Sequence, residues 1–228
     1  MELMGNAGRV EPDLIGTDTA AEDTSNYRKH TSGNPLQRRM IDRFHRKIVE
    51  TVATLSPRSF LDAGCGEGFV ARIMLERMPG LELTGFDFNP SSVAMARAKN
   101  REATFREASI FEIPFEDDQF DVAGCFEVLE HQDDPRAALA ELVRVARQAV
   151  VLSVPHEPFF SLANAARGKN WDVRPRGSDP DHRQLWTRPA FRAFVGEHPE
   201  LEVVKLDGSF PWTICVARKL AASPSATR

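Results

Sequence analysis

The chain has 228 residues, a net charge of −4 and three cysteines. That length lies between one domain and two on a scale of roughly 100–200 residues per domain, and it suffices for a full α/β core. The negative balance gives no overall electrostatic case for nucleic acid, and Cys65, Cys125 and Cys215 are spaced for reduced, buried thiols rather than for a disulfide framework or a zinc site.

In chain order, residues 1–25 are rich in Gly, Asp, Thr, Ala and Glu without periodicity, and are expected to be disordered. No basic region followed by an apolar stretch opens the sequence, and no apolar run approaches the roughly 20 residues of a membrane helix. A cytoplasmic protein without membrane insertion is expected. From Pro35 to Leu55 the apolar residues Leu36, Met40, Ile41, Phe44, Ile48, Val49 and Val52 fall on one helical face. Arg38, Arg39, Arg43, Arg46 and Lys47 lie opposite.

Strands are predicted near 59–63, 81–87, 103–107, 120–126 and 149–154, with helices near 69–78, 90–100 and 134–147. Asn89-Pro90 marks the start of the second of these helices. Strands alternating with helices imply a parallel sheet covered on both faces. After Pro155 the rhythm breaks. His156 to His182 carries prolines, glycines and the basic cluster Arg167, Lys169, Arg174 and Arg176, before a helix from about Thr187. Leu201–Leu206 and Trp212–Ala217 read as two final strands joined by a hairpin-like turn at Asp207-Gly208. One domain over 26–220 is expected, with an N-terminal flap and helix at 26–56, a substrate-side insertion at 156–186 and a tail at 221–228.

The first strand runs into Phe60-Leu-Asp-Ala-Gly-Cys-Gly-Glu-Gly68, and Phe69, Val70, Ile73, Met74 and Leu75 then recur at helical spacing. Gly64, Gly66 and Gly68 let the backbone turn tightly and approach a ligand. A strand, a glycine turn and a helix N-terminus form a nucleotide pocket. Asp62 sits where a pyrophosphate would meet a like charge, so a dinucleotide is disfavoured and a ligand with an adenosine part and an ammonium group is favoured. Asp87 ends the next apolar run, 21 residues after Gly66, near the offset of about 20 at which an acid grips ribose hydroxyls.

Asp62-Ala-Gly-Cys-Gly-Glu-Gly68 followed by Gly85-Phe-Asp87 resembles the cofactor site of the class I S-adenosylmethionine-dependent methyltransferases. Phe115–Val122, Glu127–His131 and Ala149–Pro155 are similar to that family's later segments, so the resemblance covers about residues 35–218. It implies a Rossmann-like, seven-stranded, mostly parallel sheet with helices on both faces and a final antiparallel strand. It also implies that Gly64 and Gly66 pass beneath the methionine portion, that Asp62 supports that end and that Asp87 binds the ribose. Phe88 would lie against the adenine, and Cys65, Ile110 and Phe126 would line the pocket. Where the family often has an acid, this chain has Ser109, whose hydroxyl or backbone must then receive the adenine amino group. Tyr27 to Pro35 corresponds to a flap over the cofactor. Arg38 or Arg39 either reaches the methionine carboxylate or is a solvated helix face.

Glu127, Glu130 and His131 would share one face if the segment after the fourth strand turns helical. Carboxylates with imidazole suit magnesium or manganese, and His182 is a fourth candidate ligand. The pattern resembles two metal-assisted groups, the small-RNA 2′-O-methyltransferases and the ubiquinone-biosynthesis O-methyltransferases. Alternatively His131 serves as an acceptor-side base without metal. His156, after Val154-Pro155, faces the pocket in such a fold and is a second candidate base or substrate ligand. His45 and His198 read as surface residues.

Histidines on the acceptor side favour oxygen as acceptor, because a hydroxyl must lose its proton. The leading reading is O-methylation of a small metabolite such as a phenol, quinol or glycoside. An RNA 2′-O-methyltransferase, a cofactor-binding module without catalysis and a nicotinamide dehydrogenase are the alternatives.

Overall fold

The structure, a computed structural model, describes residues 33–221. The expectations for residues 1–25, for the flap before Gly33 and for the tail from 222 lie outside the described residues.

Seven strands form one sheet: β1 (Ser59–Ala63), β2 (Glu82–Asp87), β3 (Thr104–Glu107), β4 (Phe120–Phe126), β5 (Ala146–Pro155), β6 (Leu201–Ser209) and β7 (Trp212–Lys219), in the order β3-β2-β1-β4-β5-β7-β6. Pairing is parallel from β3 to β5, and β7 is antiparallel to both of its neighbours. Every residue of β4 is buried, as a parallel strand covered on both faces requires. The chain leaves β1 toward β2 and β3, then returns to place β4 on the other side of β1. That reversal opens a crevice at the carboxyl ends of β1 and β4, where ligands of doubly wound sheets sit.

The helices are α1 (Pro35–Ala53), α2 (Phe69–Arg77), α3 (Pro90–Lys99), α4 (Pro135–Val145), α5 (Phe159–Ala166) and α6 (Arg188–Gly196). Four starts share one device, a proline in the first turn behind a side-chain cap. Asn34, Asn89, Asp134 and Thr187 each accept a hydrogen bond from an amide of the first turn. On α1, Ile41, Phe44, Ile48, Val49 and Val52 of the expected stripe are buried, whereas Leu36 in the first turn is 67% exposed and Met40 is half-buried.

His45 departs from its expected surface position: it is 5% exposed, beside Phe44. The helix packs against both α2 and β6, and so buries a wider face than the apolar stripe. Burial pushes the His45 imidazole down to about 4, against the raising influence of Asp42.

Three other boundaries differ from the sequence reading. α4 stops at Val145 because Ala146–Gln148 join β5, where the side chains of Arg147 and Gln148 donate to Asp121. The final hairpin turns at Phe210-Pro211 rather than at Asp207-Gly208. The ladder continues through Gly208↔Thr213 and Ser209↔Trp212, while Asp207 accepts from the Gly208 amide and pairs with Lys47. α5 lies inside the Pro- and Gly-rich insertion, tied down by Asn164 Nδ2 donating to Gly177 O and Trp171 Nε1 donating to Ala165 O, each at 3.0 Å.

Candidate cofactor and acceptor site

The glycine turn is fixed by β2. The amides of Gly64 and Cys65 both donate to Phe86 O, at 2.8 and 2.9 Å, and the Gly66 amide donates to Asp87 Oδ2 at 2.9 Å. Gly64, Gly66 and Gly68 all have positive φ, at 74°, 51° and 74°. A Cβ at position 64 would also lie 2.5 Å from Val128 Cγ2, so the turn is glycine for space as well as for conformation. Asn100, at the end of α3, donates to Gly68 O at 3.1 Å and holds the turn from behind. Nothing in the sequence marked Asn100, which reads there as an ordinary helix end.

Asp62 and Asp87 meet at the carboxyl ends of β1 and β2. Asp62 is 2% exposed, and its Oδ2 is buried without a hydrogen-bond partner among the described residues. Burial, and then the neighbouring Asp87 charge, push its carboxyl up to about 7. Burial also raises Asp87, partly offset by the amides of Asn89 and Gly66. Asp87 Oδ2 accepts from the Gly66 amide and Oδ1 from the Asn89 amide, and a carboxylate offers about four lone-pair sites, so acceptor capacity remains for a diol. Burial and both aspartates raise the Cys65 thiol, which stays protonated and unreactive.

These residues fit S-adenosylmethionine. An orphaned, buried carboxylate oxygen suits an ammonium group, the glycine backbone admits the methionine part, and Asp87 has sites left for ribose. Phe88, 79% exposed, follows Asp87 directly. After β3, the Ser109 hydroxyl is exposed and accepts from the Phe111 amide at 3.2 Å, with an O–H and a further lone pair left for a ligand. Ile110 and Phe126 are core side chains, the latter ring-stacked on Phe60, so neither offers more than an edge or its backbone to a pocket. Arg38 and Arg39 are exposed on α1.

Residues 61–154 match the family described as "Methyltransferase domain". The chain is 35% identical over 123 residues to a demethylmenaquinone methyltransferase of Thermus thermophilus, covering 51% of this chain and 56% of the relative. It is 31% identical over 159 residues to a ubiquinone biosynthesis O-methyltransferase of Alkalilimnicola ehrlichii, covering 63% and 64%. Residues 61–154 thus carry a methyltransferase domain, and the chain is similar to S-adenosylmethionine-dependent methyltransferases. It spans between about half and two thirds of the length of these curated relatives. The fold is also that of magnesium protoporphyrin IX methyltransferase from Synechocystis, solved with bound S-adenosylmethionine. The TM-score is 0.63 and the identity 16%, covering 88% of this chain and 94% of that one.

On the other side of the crevice, Glu127 follows β4 with a φ of +59°, and a single 3-10 turn covers Leu129–His131. The left-handed residue swings Glu127 toward β5, where its Oε1 accepts from Ser153 Oγ at 3.0 Å. The expected helical face of Glu127, Glu130 and His131 is therefore not formed. Among the described residues, the group that gathers is Glu130, His131 and His182, with one ligand atom from each lying within 4.8 Å of the others. The insertion closes this group from outside. The amides of Arg183 and Gln184 donate to Glu130 O at 2.7 and 3.0 Å, and His131 Nδ1 lies 3.1 Å from Asp181 O. A carbonyl only accepts, so Nδ1 carries the proton and a neutral ring presents Nε2 as its lone-pair nitrogen.

His156 lies directly after β5, with its amide donating to Pro211 O at 2.8 Å and its ring 5.0 Å from Phe159. Burial, and then the charge of Arg188, lower its pKa. Among the described residues no helix is long and apolar enough to cross a membrane, and all three cysteines are free and buried.

Proposed function

We propose that this chain transfers a methyl group from S-adenosylmethionine to an oxygen of a small-molecule acceptor such as a phenol, quinol or glycoside. The observation that carries the reading is the edge shared by the Asp62–Asp87 crevice and the imidazoles of His131, His182 and His156. The O-methyltransferase and quinone methyltransferase names of the relatives support it. When bound, the cofactor supplies a sulfonium methyl whose sulfur leaves without needing a proton.

The protein's part is then largely placement, which contributes up to roughly 7–11 kcal/mol when the reacting atoms are held in line. Asp62 and Asp87 fix the two ends of the cofactor, and the rigid glycine turn sets its depth. His131 Nε2 is the candidate base for the acceptor hydroxyl, a role that typically contributes about 10²–10⁴-fold. His156 is a second candidate base or acceptor ligand.

Glu130, His131 and His182 would hold a divalent ion if one is used, and an ion there would lower the pKa of a coordinated hydroxyl. One carboxylate with two imidazoles suits manganese better than magnesium. Glu127 does not contribute to this set, so the four-ligand arrangement is replaced by three ligands. The same cluster motivates a second reading, RNA 2′-O-methylation, against which the net charge of −4 stands.

The test is transfer of labelled methyl from the cofactor to a panel of phenols, quinols, glycosides, amines and short RNA, with and without chelator. Labelling of oxygen acceptors supports the proposal, and labelling of amines alone overturns it. Tight cofactor binding with no turnover on any acceptor would favour a non-catalytic module. Retention of RNA on a filter together with its labelling would favour the second reading.

A further inference from the structure

Arg188 opens α6 on the same carboxyl edge, two strands along from β5 and His156. It lies against Gly208 of β6, where a Cβ would overlap its Nη2. Its Nε is buried with no hydrogen-bond partner among the described residues. The carboxylates that follow His156 and precede Gly208 in the chain, Glu157 and Asp207, are engaged elsewhere. Asp207 pairs with Lys47 at 2.7 Å, and Glu157 accepts from the amide and hydroxyl of Ser161 at 3.2 and 2.8 Å. Cross-strand from Gly208, Thr213 Oγ1 is a second buried polar atom without a hydrogen-bond partner.

A guanidinium cannot shed its charge, and a buried donor left unmade is costly. One group that satisfies both orphans is an anion with two oxygens, which the planar fork of an arginine matches. The glycine at 208 leaves the room in which the fork lies. The His156 amide donates to Pro211 O at 2.8 Å, two residues before Thr213, so the acceptor-side histidine and this anion site share one edge of the sheet.

We infer that Arg188, with Thr213, binds a carboxylate or phosphate group, so that the acceptor of this enzyme is an anionic molecule. Arg188 is a specificity-determining residue in this scheme. The inference deepens the proposed function by naming the acceptor's charged group. Anion binding itself does not depend on methyl transfer.

The test titrates the full-length chain with benzoate, phenyl phosphate and neutral benzamide at constant ionic strength. It follows the ring protons of His156, assigned with a His156→Gln variant, together with the binding heat. Saturable binding of benzoate or phenyl phosphate, with benzamide silent, is expected, and the arm that binds names the oxyanion. Arg188→Gln should weaken that binding at least about tenfold, the loss of a charge-assisted hydrogen bond. Arg188→Lys should keep part of it, and a thermal melt establishes that both variants fold. Equal binding of benzamide, no saturable binding of either anion, or unchanged binding in Arg188→Gln would overturn the inference. Failure of every acceptor to be methylated would instead count against the proposed function and leave the anion result standing.

Discussion

The amide of Gly66 donates to Asp87 Oδ2 across 2.9 Å, so the acid assigned to the ribose also holds the glycine turn in place. Asp87→Asn keeps the size but loses the charge, and Asp87→Ala loses both contacts. Hydrogen bonds to charged groups are worth about 1.5–3 kcal/mol, so binding of S-adenosylhomocysteine should weaken roughly 10–100-fold in Asp87→Asn and more in Asp87→Ala. Calorimetry measures this directly. Unchanged affinity in Asp87→Asn would remove the ribose assignment and leave Asp87 as a turn residue only.

Asp62 gives the cofactor site a pH dependence. Its folded pKa of about 7 lies above the ordinary value of 3.8, because of burial first and Asp87 second. The native state therefore keeps a proton that the unfolded chain has lost, and stability of the unliganded protein falls as pH rises from about 4 to about 7. An ammonium group beside Asp62 prefers the ionised form, so cofactor affinity should rise over the same window, by at most about tenfold per pH unit. Asp62→Asn should flatten the affinity profile between about pH 5 and 7. A wild-type profile that is already flat there would refute the assignment of Asp62 to the ammonium.

What was legible beforehand follows the range of the forces involved. Alternating strand and helix periods give the sheet, and the Asp62–Gly68 turn with Asp87 gives the cofactor side, because both are written in contiguous residues. The acceptor side is less legible in sequence. One left-handed residue, Glu127, decides which way a carboxylate points, and no neighbouring residue announces it. Asn100 and Arg188 matter through tertiary neighbours, the Gly68 carbonyl 32 residues away and Gly208 across the fold. His45 is buried off the apolar stripe because helical periodicity describes one packed face, whereas α1 packs on two elements.

Gly64 and Val128 form a steric pair that a double substitution can separate. Gly64→Ala places a methyl 2.5 Å from Val128 Cγ2 in a backbone with φ of +74°, so clash and conformational strain add. The strain alone costs about 1–3 kcal/mol. Gly64→Ala should lower the melting temperature and abolish tight cofactor binding. Adding Val128→Ala removes the clash but not the strain, and should recover part of both losses. A double variant no better than Gly64→Ala would mean that backbone conformation, not space, dictates the glycine.

Far from the crevice, Asp121 at the start of β4 is 3% exposed and collects four donors. The amides of Arg58 and Ser59 donate to Oδ2 at 2.8 and 3.2 Å, and Gln148 and Arg147 donate to Oδ1. Burial alone would raise its pKa, but the hydrogen bonds from Arg147, Arg58 and Ser59 win and hold it below the ordinary carboxylate value. A depressed folded pKa contributes stability above the unfolded value near 3.8, lost as pH falls through the folded value. Asp121→Ala leaves the amides of Arg58 and Ser59 without their acceptor and should cost about 1–3 kcal/mol for each, whereas the exposed Arg147 returns to water. Urea unfolding at pH 7 measures the loss, and the difference between wild type and variant should shrink when unfolding is repeated near pH 3. A difference that stays constant across that range would show that the carboxylate acts through packing and not through its charge.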